Sequence, residues 1–124
     1  MGLIACQVVY EHGFDWLIEL RKYLQSNLNF LKSFLKKNIP QIKVVEPEGT
    51  YLVWLDFNAL RLSQEELDEF LLNNAKIYLS SGIDFGIQGI GFQRINIACP
   101  RSTLQCALEK LMIAIKQSEY WFEY

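Results

Sequence analysis

The sequence predicts an α/β (α+β) fold, in which a small, mostly antiparallel sheet of three or four strands is covered by helices on one side. Three observations support this prediction. A stripe of leucines at helical spacing occupies the first third of the chain, two apolar runs bounded by turn residues follow, and capped helical segments come after each run. With 124 residues, of which 51% are hydrophobic and 21% charged, the chain has the composition of one globular domain.

The charge balance and the opening segment exclude some classes of partner. A net charge of −2 gives no reason to expect a nucleic acid or an anionic membrane surface as partner. Residues 3–10 are apolar but too few to span a bilayer, and no basic residue precedes them as in a signal peptide. This apolar start looks as if it begins in the middle of an element that packs on something upstream.

The cysteine and histidine content argues against a disulfide framework or a metal site. Cys6, Cys99 and Cys106 are widely spaced without a C-x-x-C pair, which favours free, mostly buried thiols in a reducing compartment such as the cytoplasm. His12 is the one histidine of the sequence and is predicted to be a surface residue in a Glu-His-Gly turn. We therefore expect neither a metal site nor a Ser-His-Asp triad.

The first 40 residues are predicted to hold a long helix of the kind that bridges two domains, and residues 41–124 the small α/β domain. From Asp15 the leucines alternate in steps of three and four as far as Leu35, and Pro40 prevents the helix from continuing. At 1.5 Å per residue, a helix of this length spans roughly 35 Å, more than so small a domain needs.

The middle of the chain predicts a strand and then a helix. In TYLVWLDF, residues 51–57 alternate between two faces, and because both faces are apolar we expect this strand to be covered on both sides. Ser63 followed by Glu66 predicts a capping box at the start of the next helix, whose buried stripe contains Leu67, Phe70 and Leu71.

The last part of the chain predicts a short strand, a loop, a second strand and a final helix. KIYLS is the short strand, and SGIDFGIQGIGF is interpreted as a loop that needs positive φ at several glycines rather than as a phosphate-binding loop. FQRINIAC is the second strand, and Ser102 with Gln105 predicts a capping box for the final helix. The buried stripe of that helix is predicted to contain Leu104, Leu108, Leu111 and Ile115. We expect the aromatic tail EYWFEY to pack against a neighbour.

One face of the strand FQRINIAC carries an unusual mixture of residues. Alternation places Ile95 on the core face and Phe92, Arg94 and Asn96 on the opposite face, although asparagine is a poor strand former. That face is either simply solvated, or it directs Arg94 into a cleft, where a guanidinium can bind a carboxylate through two parallel hydrogen bonds. Arg101, at the entry to the final helix, is the second candidate for an anion site.

The two strand regions together carry a family resemblance. PEGTYLVWLDF with LSQEEL, and GIDFGIQGIGFQRINIACPRSTL, resemble the C-terminal small domain of pyridoxal-phosphate-dependent class I/II aminotransferases, and more narrowly the cystathionine β-lyase branch of the MalY/PatB type. The EHG-x-x-W-L-x-E-L segment also resembles that branch, and the resemblance covers nearly the whole chain. Ile87 and Ile90 depart from the pattern, because we expect polar or small residues at these loop positions.

The resemblance implies a role for one residue and places the remaining chemistry outside this sequence. The arginine of the R-x-N-x-A strand, here Arg94, would bind the α-carboxylate of the amino-acid substrate. The large domain, with the cofactor-binding lysine, would precede the residues present here, so the chain would be about the last third of a dimeric enzyme and inactive alone. In the whole enzyme, pyridoxal phosphate would serve as the electron sink for release of a β-thiolate, giving thiol, pyruvate and ammonia.

Three alternatives stay open from the sequence. A true aminotransferase would use the same carboxylate anchor, so this domain does not distinguish elimination from transamination. An aminotransferase-like effector domain of a transcription regulator would have no catalytic role and would follow a basic DNA-binding segment. A self-standing interaction domain is the third alternative.

Overall fold

The computed structural model describes residues 1–118 and contains four helices and four short strands in that range. The helices are α1 (Gly2–His12), α2 (Phe14–Asn38), α3 (Gln64–Asn73) and α4 (Arg101–Lys116). The strands are β1 (Lys43–Val44), β2 (Leu52–Asp56), β3 (Ser80–Ser81) and β4 (Phe92–Asn96), and short 3₁₀ turns lie at Asn58–Leu60, Gly82–Phe85 and Ile87–Gly89. The predicted tail EYWFEY lies outside the described residues.

The four strands form one antiparallel sheet in the order β1-β2-β4-β3, which confirms the predicted fold class. The central pair is β2 with β4, in a register that places Val53 opposite Ile95 and Trp54 opposite Arg94. Strand β3 pairs with the outer edge of β4, where Ser80 lies opposite Arg94. Because side chains alternate along each strand, this register separates the sheet into a core face and an outer face.

The core face of the sheet packs against α2, α3 and α4. Val53, Leu55, Ile95 and Ile97 are buried there, and the helices contribute leucines such as Leu31, which is fully buried. The predicted stripes of α3 and α4 are buried as expected. On the outer face Leu52, Trp54 and Phe92 are only half-buried, so β2 is covered more thinly on that side than its apolar sequence predicts.

The first 40 residues contain two helices rather than a single long one. Helix α1 ends at His12 and α2 starts at Phe14, and Gly13 between them still donates its amide to the carbonyl of Val9 in the helical pattern. The predicted helix from Asp15 is confirmed as α2, whose N-terminal half is more exposed than its C-terminal half. No residue of α1 is buried. His12 is exposed, as predicted for a surface histidine.

The structure bears out one of the two predicted capping boxes. At α3 the hydroxyl of Ser63 accepts from the amide of Glu66 at 3.3 Å, and the amide of Ser63 donates to the Glu66 carboxylate at 2.8 Å. The box at Ser102 is wrong, because α4 already begins at Arg101 with Pro100 as its N-cap and no side-chain cap. The N-cap is therefore two residues earlier than predicted, at Pro100, whose ring fixes φ.

Two further predictions need correction. KIYLS is mostly irregular, and the short strand is formed by the two serines that follow Leu79. Cys6, Cys99 and Cys106 are free, as predicted, but they are not mostly buried, because Cys6 and Cys106 are exposed on helices. Within residues 1–118, no helix combines the length and the apolar character needed to cross a membrane.

Candidate functional site

Arg94 lies in the middle of β4, between two hydrogen-bonded neighbours. Trp54 of β2 lies opposite it on one side and Ser80 of β3 on the other. A strand that is paired on both sides moves little, so the Cα–Cβ bond of Arg94 has a fixed direction on the outer face of the sheet. The position predicted from alternation is therefore the position that the structure shows.

The guanidinium group of Arg94 lies over an aromatic ring. Its central carbon lies 4.3 Å from the ring centroid of Phe85, which comes from the loop between β3 and β4. Phe85 in turn meets Trp54 edge to face, with the ring centroids 5.2 Å apart and the ring planes at 87°. A cation over a ring face and two rings in edge-to-face contact are both favourable arrangements.

Arg94 has no anionic partner within the described residues. The ion pairs between residues 1 and 118 are His12 with Glu11, Lys22 with Glu19 and Lys32 with Glu46, and none involves Arg94. Its Nε atom is buried and makes no hydrogen bond to any described residue. Leaving a buried donor without a partner costs about 1–3 kcal/mol, and more for a charged group, so this arrangement favours an incoming acceptor.

A cavity of about 360 Å³ opens beside Arg94 on the outer face of the sheet. Its walls are Leu52, Trp54, Arg94 and the turn formed by residues 45–50. The cavity is large enough for a small amino acid, and its lining combines apolar side chains with Arg94 and with two carboxylates of the turn, Glu46 and Glu48. Glu46 is in an ion pair with Lys32, and Arg94 faces the cavity without an ion pair to either carboxylate or to any other described acid.

The turn that forms one wall of this cavity contains a strained residue. Thr50 has a φ of +65°, which is rare for a β-branched side chain. Its hydroxyl accepts a hydrogen bond from the amide of Leu52 at 3.2 Å, which helps to hold this conformation. Backbone strain of this kind occurs disproportionately at ligand sites.

The glycine-rich loop brings Phe85 to Arg94 by a close approach of two backbone turns. An added Cβ at either Gly82 or Gly89 would lie 2.0 Å from the carbonyl oxygen of the other, so only glycine fits at both positions. Gly86 and Gly91 have φ values of +119° and +82°, which confirms the predicted need for positive φ in this loop. The side chain of Ile87 is exposed at the tip of this loop, as is that of Ile90 close to its end.

A buried polar network holds the loop in place, and the sequence analysis missed it. Asp68 accepts hydrogen bonds from Gln93, from the hydroxyl of Ser81 at 2.8 Å and from Gln64 at 2.9 Å. Gln64 also accepts from the amide of Gly91 at 2.9 Å and donates to Ser81 at 2.8 Å. Gln93 is 1% exposed, and a glutamine on the core face of an apolar strand was the one available sign of this network.

Arg101, the second candidate for an anion site, has a structural role instead. Its Nε donates to Asn27 Oδ1 and a terminal nitrogen donates to Ser26 Oγ, both at 2.8 Å, while its guanidinium lies 4.5 Å from the ring centroid of Phe30. Asn27 is fully buried and donates to the carbonyls of Ile97 and Cys99. This cluster fastens α2 to the segment between β4 and α4.

Asn96 has a local explanation that does not involve a ligand. It is the last residue of β4, is exposed, and its side-chain oxygen accepts from the amide of Ala98 at 2.8 Å. This is an Asx turn, which ends a strand because it offers the backbone a competing partner. The structure thus assigns only Arg94 of that face to the cavity.

The class of protein follows from the fold with this site. The four-stranded antiparallel sheet with its packed helices closely matches part of solved pyridoxal-phosphate-bound proteins. A pyridoxal-phosphate-bound protein of Clostridium difficile 630, described as an aminotransferase, is 48% identical to this chain with a TM-score of 0.88. The match covers 91% of this chain and 29% of that one.

More particular relatives are carbon–sulfur lyases. The chain is 38% identical to the cystathionine β-lyase PatB of Bacillus subtilis strain 168, over 92% of this chain and 30% of the relative. Cystalysin of Treponema denticola, which contains pyridoxal 5′-phosphate, is 41% identical with a TM-score of 0.89, over 93% of this chain and 29% of cystalysin. No model of a protein family matches the chain. The resemblance predicted from the sequence is confirmed: the homologues are cystathionine β-lyases, and the chain spans about 30% of the length of the curated relatives it matches.

The residues around the cavity do not themselves provide a site for covalently bound pyridoxal phosphate. Among the described residues that line it, none is a lysine, and Lys32, one contact away, is in an ion pair with Glu46. The charged residues that line it are Arg94, Glu46 and Glu48, and one guanidinium beside two carboxylates is a poor site for a phosphate group. The described residues of this cavity therefore do not fit that cofactor.

Proposed function

We propose that this chain is the substrate-carboxylate-binding domain of a pyridoxal-phosphate-dependent carbon–sulfur β-lyase of the cystathionine β-lyase type. The observation that carries the proposal is the guanidinium of Arg94, whose buried Nε has no partner among residues 1–118 and which lies on a strand beside an open cavity. The relatives support the reaction class, because curated proteins similar to the chain include cystathionine β-lyases of Bacillus subtilis and Corynebacterium glutamicum. A cofactor domain, an amino-acid substrate and a dimeric assembly are parts of the same proposal, as is a cytoplasmic location, which the three free thiols favour.

The role of Arg94 in this proposal is to orient the substrate. Two parallel hydrogen bonds to the α-carboxylate would fix both the position and the plane of that group. The substrate Cα would then be held at a constant angle to the cofactor ring of the other domain, which supplies the electron sink. The guanidinium is held by its strand, by the ring of Phe85 and by its half-buried position. It therefore does not reorient to bind substrates that are poorly placed.

The test is substitution of Arg94 in the full-length protein. We expect Arg94→Ala to lower kcat/KM for cystathionine by at least about 100-fold, because both the charge and the orientation are lost. Arg94→Lys retains the charge without the planar fork, so its loss should be smaller but still large. Arg21→Ala, at an exposed arginine of α2, is the matched control and should have kcat/KM near that of the unaltered protein. A near-normal kcat/KM for Arg94→Ala would refute the assignment.

A class I/II aminotransferase is the second candidate function. It is favoured by the Clostridium difficile structure, the most identical of the solved structures cited above. Incubation of the full-length protein with cystathionine should release pyruvate if it is a lyase. Incubation with an amino acid and a keto acid should exchange the amino group if it is an aminotransferase.

A further inference from the structure

The contact between Arg94 and Phe85 is the feature from which the next inference starts. Phe85 lies on a loop, is about half exposed, and contributes little to the core. Its ring nevertheless has two defined neighbours, the guanidinium of Arg94 at 4.3 Å and the indole of Trp54 at 5.2 Å. The position of this half-exposed ring is therefore better explained by its contacts with Arg94 and Trp54 than by burial of the ring itself.

An arginine side chain needs such support in order to bind a ligand in one orientation. It is long and has many rotamers, and Arg94 lacks a carboxylate partner within the described residues that would select one of them. A ring that stacks on the face of the guanidinium restricts its plane. It leaves the N–H groups free, because these lie in that plane and point away from the ring.

The position of the Phe85 ring is set by the loop that carries it. The loop begins where the Gly82 turn meets the Gly89 turn and ends at Gly91, whose amide donates to Gln64. At its start, Ser81 is fixed by bonds with Gln64 and Asp68. Both ends of the loop are therefore tied to the same buried network, and this network places the ring over Arg94.

We propose that Phe85 is a positioning residue that holds the Arg94 guanidinium in the plane required for bidentate carboxylate binding. The benefit for a carboxylate ligand rests on the proposed function, whereas the hold on the guanidinium does not. Phe85 acts on a ligand only through Arg94. The loop that carries the ring is held in place by the buried network of Gln64, Asp68, Ser81 and Gln93.

Nuclear magnetic resonance of the 124-residue chain tests both parts. The Nε–H resonance of Arg94 is identified by its disappearance in Arg94→Lys. Without ligand, it should be shifted by the ring current of Phe85, and Phe85→Leu should move it towards the shift of exposed arginines. Acetate is then titrated at constant ionic strength against chloride, and the dissociation constant is read from the same resonance. We expect Phe85→Leu to weaken acetate binding about 3- to 10-fold, and Phe85→Tyr to restore it.

Ile87→Ala is the matched control, because Ile87 is in the same loop and is 75% exposed. It should leave both the resonance and the acetate affinity unchanged. If Phe85→Leu leaves the ligand-free resonance of Arg94 where it was, or leaves acetate affinity unchanged while acetate still shifts the resonance, the positioning role is overturned. If acetate shifts the resonance in no variant, the carboxylate role of Arg94 fails. The ligand-free comparison then still decides whether the ring holds the guanidinium.

Discussion

At the scale of single residues, the two arginines of the β4–α4 region show how the same side chain serves two purposes. Arg101 satisfies its donors with Asn27 and Ser26 and so becomes part of the scaffold. Arg94 has a buried Nε without a partner in the described chain and faces a cavity. The number of satisfied donors, rather than the presence of a positive charge, distinguishes the binding candidate from the structural residue.

Asn27 should be the most sensitive polar position of the scaffold. It is fully buried and joins α2 to the carbonyls of Ile97 and Cys99 and to Arg101. We expect Asn27→Leu to lower the free energy of unfolding by about 2–4 kcal/mol, because it removes the buried donor to the Ile97 carbonyl, one of the two donors to the Cys99 carbonyl and one of the two acceptors of Arg101. Urea denaturation measures the loss.

The control for Asn27 lies two residues further along the same helix. Asn29 is exposed and bonds only to Gln25 among the described residues, so Asn29→Leu should change the stability by less than about 0.5 kcal/mol. An equally small effect of Asn27→Leu would show that the buried bonds contribute little.

At the scale of elements, the start of α3 has a pH-dependent cap. The backbone amide of Ser63, and secondly its side chain, hold the pKa of Glu66 below its ordinary value of 4.5. A carboxyl with a lowered pKa in the folded state stabilises the fold above its ordinary pKa, and this stabilisation is lost as the pH falls through the lowered value. The capping box is therefore complete at neutral pH and is lost in acid.

Glu66→Gln tests this pH dependence. At pH 7 the variant should have a lower Tm than the unaltered chain, and the difference should shrink as the pH falls below 4.5. Glu65→Gln is the control, because Glu65 is in the same helical turn and is exposed. A Tm difference for Glu66→Gln that is constant from pH 7 to pH 3 would contradict the assignment.

At the scale of the whole molecule, the core and the first helix contribute very differently. Leu31, Leu35 and Ile39 of the α2 region are almost fully buried, whereas α1 has no buried residue and exposes apolar side chains such as Leu3 and Tyr10. A contiguous apolar surface of this kind is usual where a protein contacts another domain or subunit. The domain fold should therefore not depend on α1.

Removal of residues 1–12 checks this expectation. The unfolding free energy should change by less than about 1 kcal/mol, because an element without buried residues contributes little to global stability. Binding of a hydrophobic dye should fall, since exposed apolar surface is removed. Leu31→Ala, in the buried stripe of α2, should by comparison cost about 2–5 kcal/mol. A loss of that size on removing α1 would show that it packs on the domain.

Periodicity predicted the elements in which each face meets a single environment, core or solvent, along its whole length. The stripes of α3 and α4, the alternation of β2 and the outward direction of Arg94 follow from local spacing, and the structure confirms them. Gln93 was not interpreted, because its partner Asp68 lies 25 residues earlier, and no local pattern reports such a distance. The stacking of Phe85 on Arg94 depends on the same long-range contacts.

The abutting turns at Gly82 and Gly89 have a consequence for how this loop tolerates change. An added methyl group at either position would meet the carbonyl oxygen of the other glycine, so either substitution forces the same two turns apart and the second finds them already separated. The loss of stability in a Gly82→Ala, Gly89→Ala double variant should then be well below the sum of the two single losses, a mark of strong epistasis. Once one of these glycines is replaced, replacing the other costs little additional stability. We therefore expect the two positions to change together among descendants of this sequence.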